Sequence, residues 1–346
     1  MPFEIDIIRA SYFRLTCVAV AIALVTFWGV REFKYRTSPM VPDREAIITD
    51  SIALMRTNSI VGKQIDWQTL KAEALAIASR TGNEADLDGA FEHIAARLED
   101  GHSFYMSRAD SEKIETATSL SSSTSITNEV PVVDGVPRIQ VNSFLSMDPQ
   151  MTTFASRQLR EQVNKAVAEA KCGVIVDLSK NSGGNMYPML QGLLPLLPTR
   201  DLLQFESANG TRTAVTANAG AIGFGNQEVL PALESRYMPL PRIVPTAVIL
   251  ASTTGSAGEM VAVAFKGRGD VRFFGQRTFG AVTGNTSFKL EHGGVFALAT
   301  SWTLDSHGKR YVEALTPDET LSGVNAHSKA LKSAEIWVRQ QCAVYG

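Results

Sequence analysis

The sequence predicts an α/β protein built on a mixed sheet, preceded by a small helical region and an N-terminal membrane anchor. Three observations predict it. Sixteen residues near the N-terminus form one apolar run without a charge, and three segments after it place apolar residues every three or four positions. Beyond about residue 130, short apolar runs alternate with helical periodicity. A chain of 346 residues corresponds to about two domain-sized units, or one large unit with an appendage. With 45% hydrophobic residues, 26 glycines and 14 prolines, the composition excludes collagen-like, coiled-coil and wholly disordered chains. The 33 Lys and Arg nearly balance the 35 Asp and Glu, and no basic stripe stands out, so nucleic acid is not an expected partner.

The apolar run, residues 15–30, is short for a spanning helix and long for the core of a signal peptide. It ends in Phe27, Trp28, Gly29 and Val30 with no small-x-small cleavage site, and Trp28 suits an interfacial anchor. The expectation for residues 1–36 is an uncleaved signal anchor; an apolar helix packed on the soluble part is the alternative. The part of the chain beyond the anchor is expected in the periplasm or another extracytoplasmic space. Arg31, Lys34 and Arg36, which follow the run, count against that sidedness.

Residues 37–106 read as the helical region. Ile48, Ile52 and Met55 mark its first helix, Trp67, Leu70, Ala74 and Ile77 the second, and Leu87, Phe91, Ile94 and Leu98 the third. Within the next segment, 107–129, nine of the twelve residues 116–127 are Ser or Thr, too polar to offset the entropy of ordering, so a loop is expected. Residues 130–346 carry the α/β pattern. A strand is expected over 138–144, a long helix through Leu159, Val163 and Val167, and a strand covered on both faces over 173–178. The pattern recurs as a strand at 245–250, a helix over 256–265, strands near 271–275, 287–290 and 295–302, and a final helix over 326–342. The Gly-rich stretch 209–225 fits a substrate-facing loop or a surface excursion.

Cys17, Cys172 and Cys342 form no C-x-x-C, and the apolar setting of Cys17 leaves at most one ordinary pair. The five histidines include no H-E-x-x-H or tight pair, so neither a metal nor a cofactor is expected.

Three turns follow apolar elements, where α/β proteins place reactive groups. The first carries His102 just after Gly101, the second the pair Gly183-Gly184 after a buried strand, and the third Ser256 at a strand-to-helix junction. A serine there lies beside the unpaired N–H groups of the helix's first turn. The N–H of Ala257 is then available to an oxyanion, and Gly183 or Gly184 can supply a second because no side chain blocks the approach. A serine hydroxyl needs an adjacent base, and His102 is the candidate. Each piece also has a plainer reading. Ser256-x-x-Glu259 fits a capping box, the glycine pair a simple turn, and His102 a solvated loop residue. Ser252 and Ser103 compete as nucleophiles.

Taken in order, these turns resemble the S41 serine peptidases, the family of tail-specific and C-terminal processing proteases, tricorn core proteases and interphotoreceptor retinoid-binding proteins. Leu98-x-Asp100-x-His102-Ser103 is similar to the family's L-x-D-x-H-[TS]. Residues 174–184 are similar to its strand and D-L-R-x-N-x-G-G, with Ser179 in place of the arginine. Ser256-Ala-Gly-Glu259 and Gly275-x-x-Thr278-Phe279-Gly280 resemble its nucleophile helix and the turn beyond. The resemblance spans residues 45–340 and implies a ClpP/crotonase-like core. Ala281 stands where the Ser/Lys branch places its base, and Lys289 is the nearest lysine downstream. The resemblance to the tricorn-like Ser-His-Glu branch points instead to Glu313, ahead of Pro317-Asp318, although Ala314 and Leu315 replace the glycines usual there. Only some thirty residues separate Tyr105 from Arg138, which leaves no room for the PDZ domain of many relatives.

The resemblance therefore implies a serine endopeptidase or C-terminal processing-type peptidase acting on a protein or peptide substrate. Ser256 would be the nucleophile, His102 the base and Glu313 the orienting carboxylate, with Asp100 as alternative orienter and Ala257 with Gly183 or Gly184 as oxyanion donors. A lipid- or peptide-binding module without catalysis is the rival, with an apolar groove lined from segments such as 186–197 and 219–224. Ester hydrolysis or acyl transfer by the same triad is a third possibility. The sequence leaves the oligomeric state open.

Overall fold

The computed structural model describes residues 43–81, 83–113, 125–128, 135–198, 200–233, 244–266 and 268–342. The apolar run with its basic flanks, and most of the Ser/Thr-rich stretch, lie outside the described residues. Among those described, no helix is long and apolar enough to cross a membrane. The chain divides into two units that do not follow chain order. The first takes residues up to Ser122 with Glu206–Thr211 and Thr283–Trp302, and the second takes Ser123–Phe205, Arg212–Val282 and Thr303–Gly346.

In the first unit, helices α1 (Arg44–Asn58), α2 (Trp67–Ala78) and α3 (Glu84–Leu98) begin at Asp43, Asp66 and Asn83. The side-chain oxygens of these residues accept from N–H groups of the first turn, which no intrahelical carbonyl can reach. The helices bury the expected stripes, Ile48, Ile52 and Met55 with Trp67, Leu70 and Ala74 and with Leu87, Phe91, Ile94 and Leu98. Ile77 is only partly buried, and Ala78 completes the α2 stripe. The same core takes Tyr105 of β1 (Phe104–Met106), Leu290, and Phe296 and Leu298 of β11 (Val295–Asp305). Strands β1 and β10 (Thr283–Lys289) each pair antiparallel with β11.

In the second unit, β2 (Arg138–Gln140), β3 (Val174–Asp177), β8 (Thr246–Leu250), β9 (Val271–Gly275) and β12 (Glu319–Thr320) form a five-stranded sheet in the order β12-β9-β8-β3-β2. Every pairing in it is parallel. The expected mixing of directions is thus not within this sheet, and the antiparallel pairs belong to other strands. Alternate residues of its strands enter two different cores. Val174, Val176, Val248, Leu250 and Phe273 pack with α4 (Pro149–Glu169), α5 (Met186–Leu193) and α6 (Ala257–Lys266), whereas Ile175, Ala247, Ile249 and Phe274 pack with α7 (Ala326–Gln340). Helices on both faces explain why these strands read as unbroken apolar runs.

Two expectations change. The stretch 186–197, offered as the wall of an apolar groove, is α5 and the 3-10 turn Leu194–Leu196, and its apolar side chains belong to the core. A Cβ on Gly192 would stand 2.6 Å from Leu159, so glycine is what lets α5 lie against α4. The Gly-rich 209–225 is mostly strand: β5 (Arg212–Asn218), β6 (Ala221–Phe224) and β7 (Gln227–Leu230) form an antiparallel meander beside β4 (Asp201–Ser207). Val215, Ala217 and Ile222 bury their side chains in the core, which fixes the register that glycine alone would leave loose.

The one ordinary cysteine pair that the sequence allows is formed, joining Cys172 before β3 to Cys342 after α7 across 170 residues. In the chain-entropy account a loop of that length loses about 5 kcal/mol of unfolded-state freedom on closure. Replacing both cysteines by serine is expected to lower the unfolding free energy by about 2–5 kcal/mol in urea titration; a midpoint within error of the parent's would show that the bridge stabilises nothing.

Candidate active site

Ser256 sits between β8 and α6, and its backbone is left-handed at φ +47°. That conformation costs a residue with a side chain about 1–3 kcal/mol and persists only where its surroundings enforce it. They do so here through Glu259, whose Oε2 accepts the Ser256 N–H at 3.0 Å while Oε1 accepts from the Gly280 N–H at 2.9 Å and from the Thr278 hydroxyl. This is only half of a capping box. Among the described residues the Ser256 hydroxyl has no hydrogen-bond partner, although the residue is 5% exposed. The competing serines differ: Ser103 Oγ is bonded to Asp100 and the Ala299 N–H, and Ser252 is exposed.

The loop after β3 packs against this turn. Asn181 O accepts the Gly255 N–H at 3.0 Å, and a Cβ on Gly258 would stand 2.5 Å from the same oxygen, so the contact requires glycine there. Asn181 Oδ1 also takes the Gly183 N–H at 3.1 Å. Gly184 is positioned by Asn185, whose N–H donates to Phe144 O at 2.6 Å. Among the described residues the N–H groups of Gly184 and Ala257 have no partner, which leaves Gly184 as the open donor of the glycine pair. Asp177, at the head of this loop, is buried, yet the His327 ring and the Ser179 N–H hold its carboxyl below the usual carboxylate range.

Glu313 also lies in the second unit. The Thr278 N–H donates to Leu315 O at 3.0 Å and the Leu315 N–H to Thr278 Oγ1 at 2.7 Å, so the Glu313 segment is tied to the residues that Glu259 holds. The carboxylate itself is exposed and pairs with Arg277 at 3.0 Å.

His102 belongs to the first unit. Glu99 and Gly101 adopt left-handed backbone after α3, and Asp100 Oδ1 accepts the N–H groups of His102 and Ser103 at 3.0 and 2.6 Å. Asp100 therefore shapes the turn rather than holding the imidazole. Asn285 Nδ2 donates to His102 O, and His102 Nδ1 lies 2.9 Å from Thr283 Oγ1. A proton on Nδ1 leaves Nε2 with its lone pair, the tautomer that a general base requires. Burial lowers the imidazole from its ordinary 6.5 to about 4, against the Asp100 charge and a hydrogen bond at the Thr283 backbone. The ring is thus neutral at pH 7. Burial acts in the opposite direction on Glu259, raising its carboxyl to about 7 against its donors.

Sequence reasoning did not find two of these roles. Glu259 was visible only as a capping residue, and its reach to Thr278 and Gly280 is a tertiary contact. Thr283, 181 residues from His102, gave no local signal. Among the described residues no cluster of His, Cys, Asp and Glu could hold a metal.

Residues 139–321 match the model of peptidase family S41. The chain is 23% identical over 325 residues to a nisin-resistance protein of Lactococcus lactis subsp. lactis, covering 93% of this chain and 95% of that one. A lipoprotein from Streptococcus agalactiae has a similar fold, with a TM-score of 0.73 at 22% identity over 89% of this chain and all of that one. The photosystem II D1 C-terminal processing protease gives 0.55 at 15% identity over 82% and 94%.

Replacing Glu259 by alanine strands the Ser256 and Gly280 N–H groups and the Thr278 hydroxyl. The expected loss is about 3 kcal/mol in chemical denaturation, and a change below about 0.5 kcal/mol would contradict the arrangement. The two shifted groups also set opposite pH responses. The stability linked to neutral His102 is complete above pH 6.5 and disappears as pH falls through about 4. That linked to Glu259 is complete below 4.5 and is lost as pH rises through about 7. Denaturation midpoints of His102→Gln and Glu259→Gln, followed against pH, should each lose the corresponding limb.

Proposed function

The chain belongs to peptidase family S41, and from that premise we propose that it works as an endopeptidase or C-terminal processing-type peptidase through an acyl-enzyme on Ser256. Membership makes it a serine-type peptidase, a hydrolase acting on a protein or peptide. In the proposed cycle Ser256 Oγ attacks the scissile carbonyl while His102 Nε2 takes its proton. The N–H groups of Ala257 and Gly184 receive the oxyanion, with Gly183 beside them in the same loop. His102 then protonates the leaving amine, and water releases the acyl group by the reverse route.

The observation that carries this reading is the buried serine at the head of α6, held in left-handed backbone with its hydroxyl uncommitted. Strain enforced at one serine by a dedicated buried carboxylate is difficult to account for by packing alone. His102 is supported by its neutral imidazole and the partner at Nδ1. Glu313 is supported as third member by its place before Pro317-Asp318, and to reach an imidazole its carboxylate would have to leave Arg277. Thr283 is the second candidate for fixing the tautomer. The long match to a nisin-resistance protein supports a peptide of the nisin type as substrate. A membrane-anchored protein facing an extracytoplasmic compartment is supported by the apolar run at 15–30, the likeness to a lipoprotein and the cysteine pair, which suits oxidising surroundings.

A fluorophosphonate probe should label the full chain, and Ser256→Ala should abolish labelling and lower peptide hydrolysis on the order of 10⁴-fold. Labelling that survives this substitution removes Ser256 from the mechanism. His102→Ala should be as severe. Glu313→Gln and Thr283→Val separate the two candidates for Nδ1, because only loss of the true partner lowers kcat with little change in KM. With His102 at about 4, kcat/KM should stay level from pH 7 down to about 5 and fall through about 4.

A further inference from the structure

A cavity of about 320 Å³ lies at the C-terminal end of α6 in the second unit, lined by Lys266, the last residue of that helix, by Lys309 and Arg310, and by the segment from Tyr311 to Thr316. Lys266 is half-buried with its Nζ 3.6 Å from the centre of the Phe273 ring. Burial lowers its pKa, the charge of Asp318 opposes this and that of Lys309 adds to it. Among the described residues neither the exposed Lys309 nor Lys266 forms an ion pair, although a charge partly withdrawn from water, as that of Lys266 is, ordinarily finds a partner. The acidic groups nearby are engaged elsewhere. Glu313 is held by Arg277, Asp318 Oδ2 accepts the Phe273 N–H at 2.8 Å, and Asp305 accepts from the backbone N–H groups of His307 and Lys309 and from the Tyr311 hydroxyl.

We propose that this cavity is a carboxylate-binding subsite for the peptide substrate, with Lys266 and Lys309 as the recognising cations. This rests on the peptidase reading of Ser256. The wall of the cavity runs through Leu315, which is bonded to Thr278, and Thr278 in turn to Glu259, so hydrogen bonds link the subsite to the nucleophile turn. Lys266 closes the ten-residue helix that Ser256 precedes, about 15 Å along its axis. Because Ala257–Phe265 are buried, a peptide passes around the helix and needs at least about five extended residues to cover that separation. The preferred substrate therefore carries a carboxylate at least about five positions from the cleaved bond, either on an Asp or Glu side chain or at a free C-terminus.

The test uses the full chain carrying Ser256→Ala, so that binding is measured without turnover. Fluorescein-labelled hexaglutamate amide should bind in fluorescence anisotropy, weaken as salt rises, and lose at least about tenfold in affinity with Lys266→Met and with Lys309→Met. A labelled Gly-Ser hexapeptide, with its C-terminus free or amidated, separates the two sources of carboxylate: preference for the free form assigns the terminus, and equal weak binding assigns the side chain. No binding of hexaglutamate, or binding unchanged by both substitutions in variants that melt like the parent, overturns the subsite. Should Lys266→Met fail to fold, the exposed Lys309→Glu carries the same expectation of lost binding. The peptidase reading fails separately, if the unmutated chain is not labelled by the serine probe.

Discussion

A single buried carboxylate organises the second unit around its candidate nucleophile. Glu259 accepts hydrogen bonds from the backbone of Ser256 and from Thr278 and Gly280, residues 19 and 21 positions further along the chain. An ionisable group taken this far out of water is tolerated because each oxygen has donors facing it. The same bonds hold Ser256 in a backbone conformation that it would otherwise leave, and they turn its hydroxyl away from the helix-capping role that serine ordinarily fills at such a position. Glu259 is thus a positioning residue, and its hydrogen bonds offset part of the desolvation that raises its carboxyl to about 7.

The remaining parts of the site follow from the parallel sheet. Strands β3 and β8 are neighbours and run in the same direction, so the loops that leave their carboxyl ends lie side by side. One loop ends in Gly183-Gly184 and the other in Ser256, and the Asn181 backbone joins them. Glycine at 258 is what allows this approach, as a side chain there would collide with the Asn181 oxygen. The imidazole is prepared independently in the first unit, where burial keeps it neutral and Thr283 stands at Nδ1. Nucleophile and base are each set by contacts within their own unit.

Charge is distributed unevenly near the site. Acidic groups around the cavity at the end of α6 are bound to backbone N–H groups or to Arg277, whereas among the described residues Lys266 and Lys309 form no ion pair. A near-neutral chain can in this way present a local cationic pocket that its net charge of −2 does not reveal.

Much of the architecture was legible in the sequence because it depends on local periodicity. The stripes of α1, α2 and α3, the covered strands β3, β8 and β9, and the head of α6 follow from the spacing of apolar residues and from S-x-x-E, since a helix or strand presents its faces at fixed intervals whatever it packs against. The order of the turns bearing His102, Gly183-Gly184 and Ser256 was readable for the same reason. What the fold alone decided lies in contacts between residues distant in the chain. They include the union of Cys172 with Cys342, the strands formed by the Gly-rich 209–225, the burial of 186–197 as core, the placing of Thr283 against His102, and the second function of Glu259. Such pairings depend on which surfaces meet after the elements have formed, and no interval along the chain encodes them.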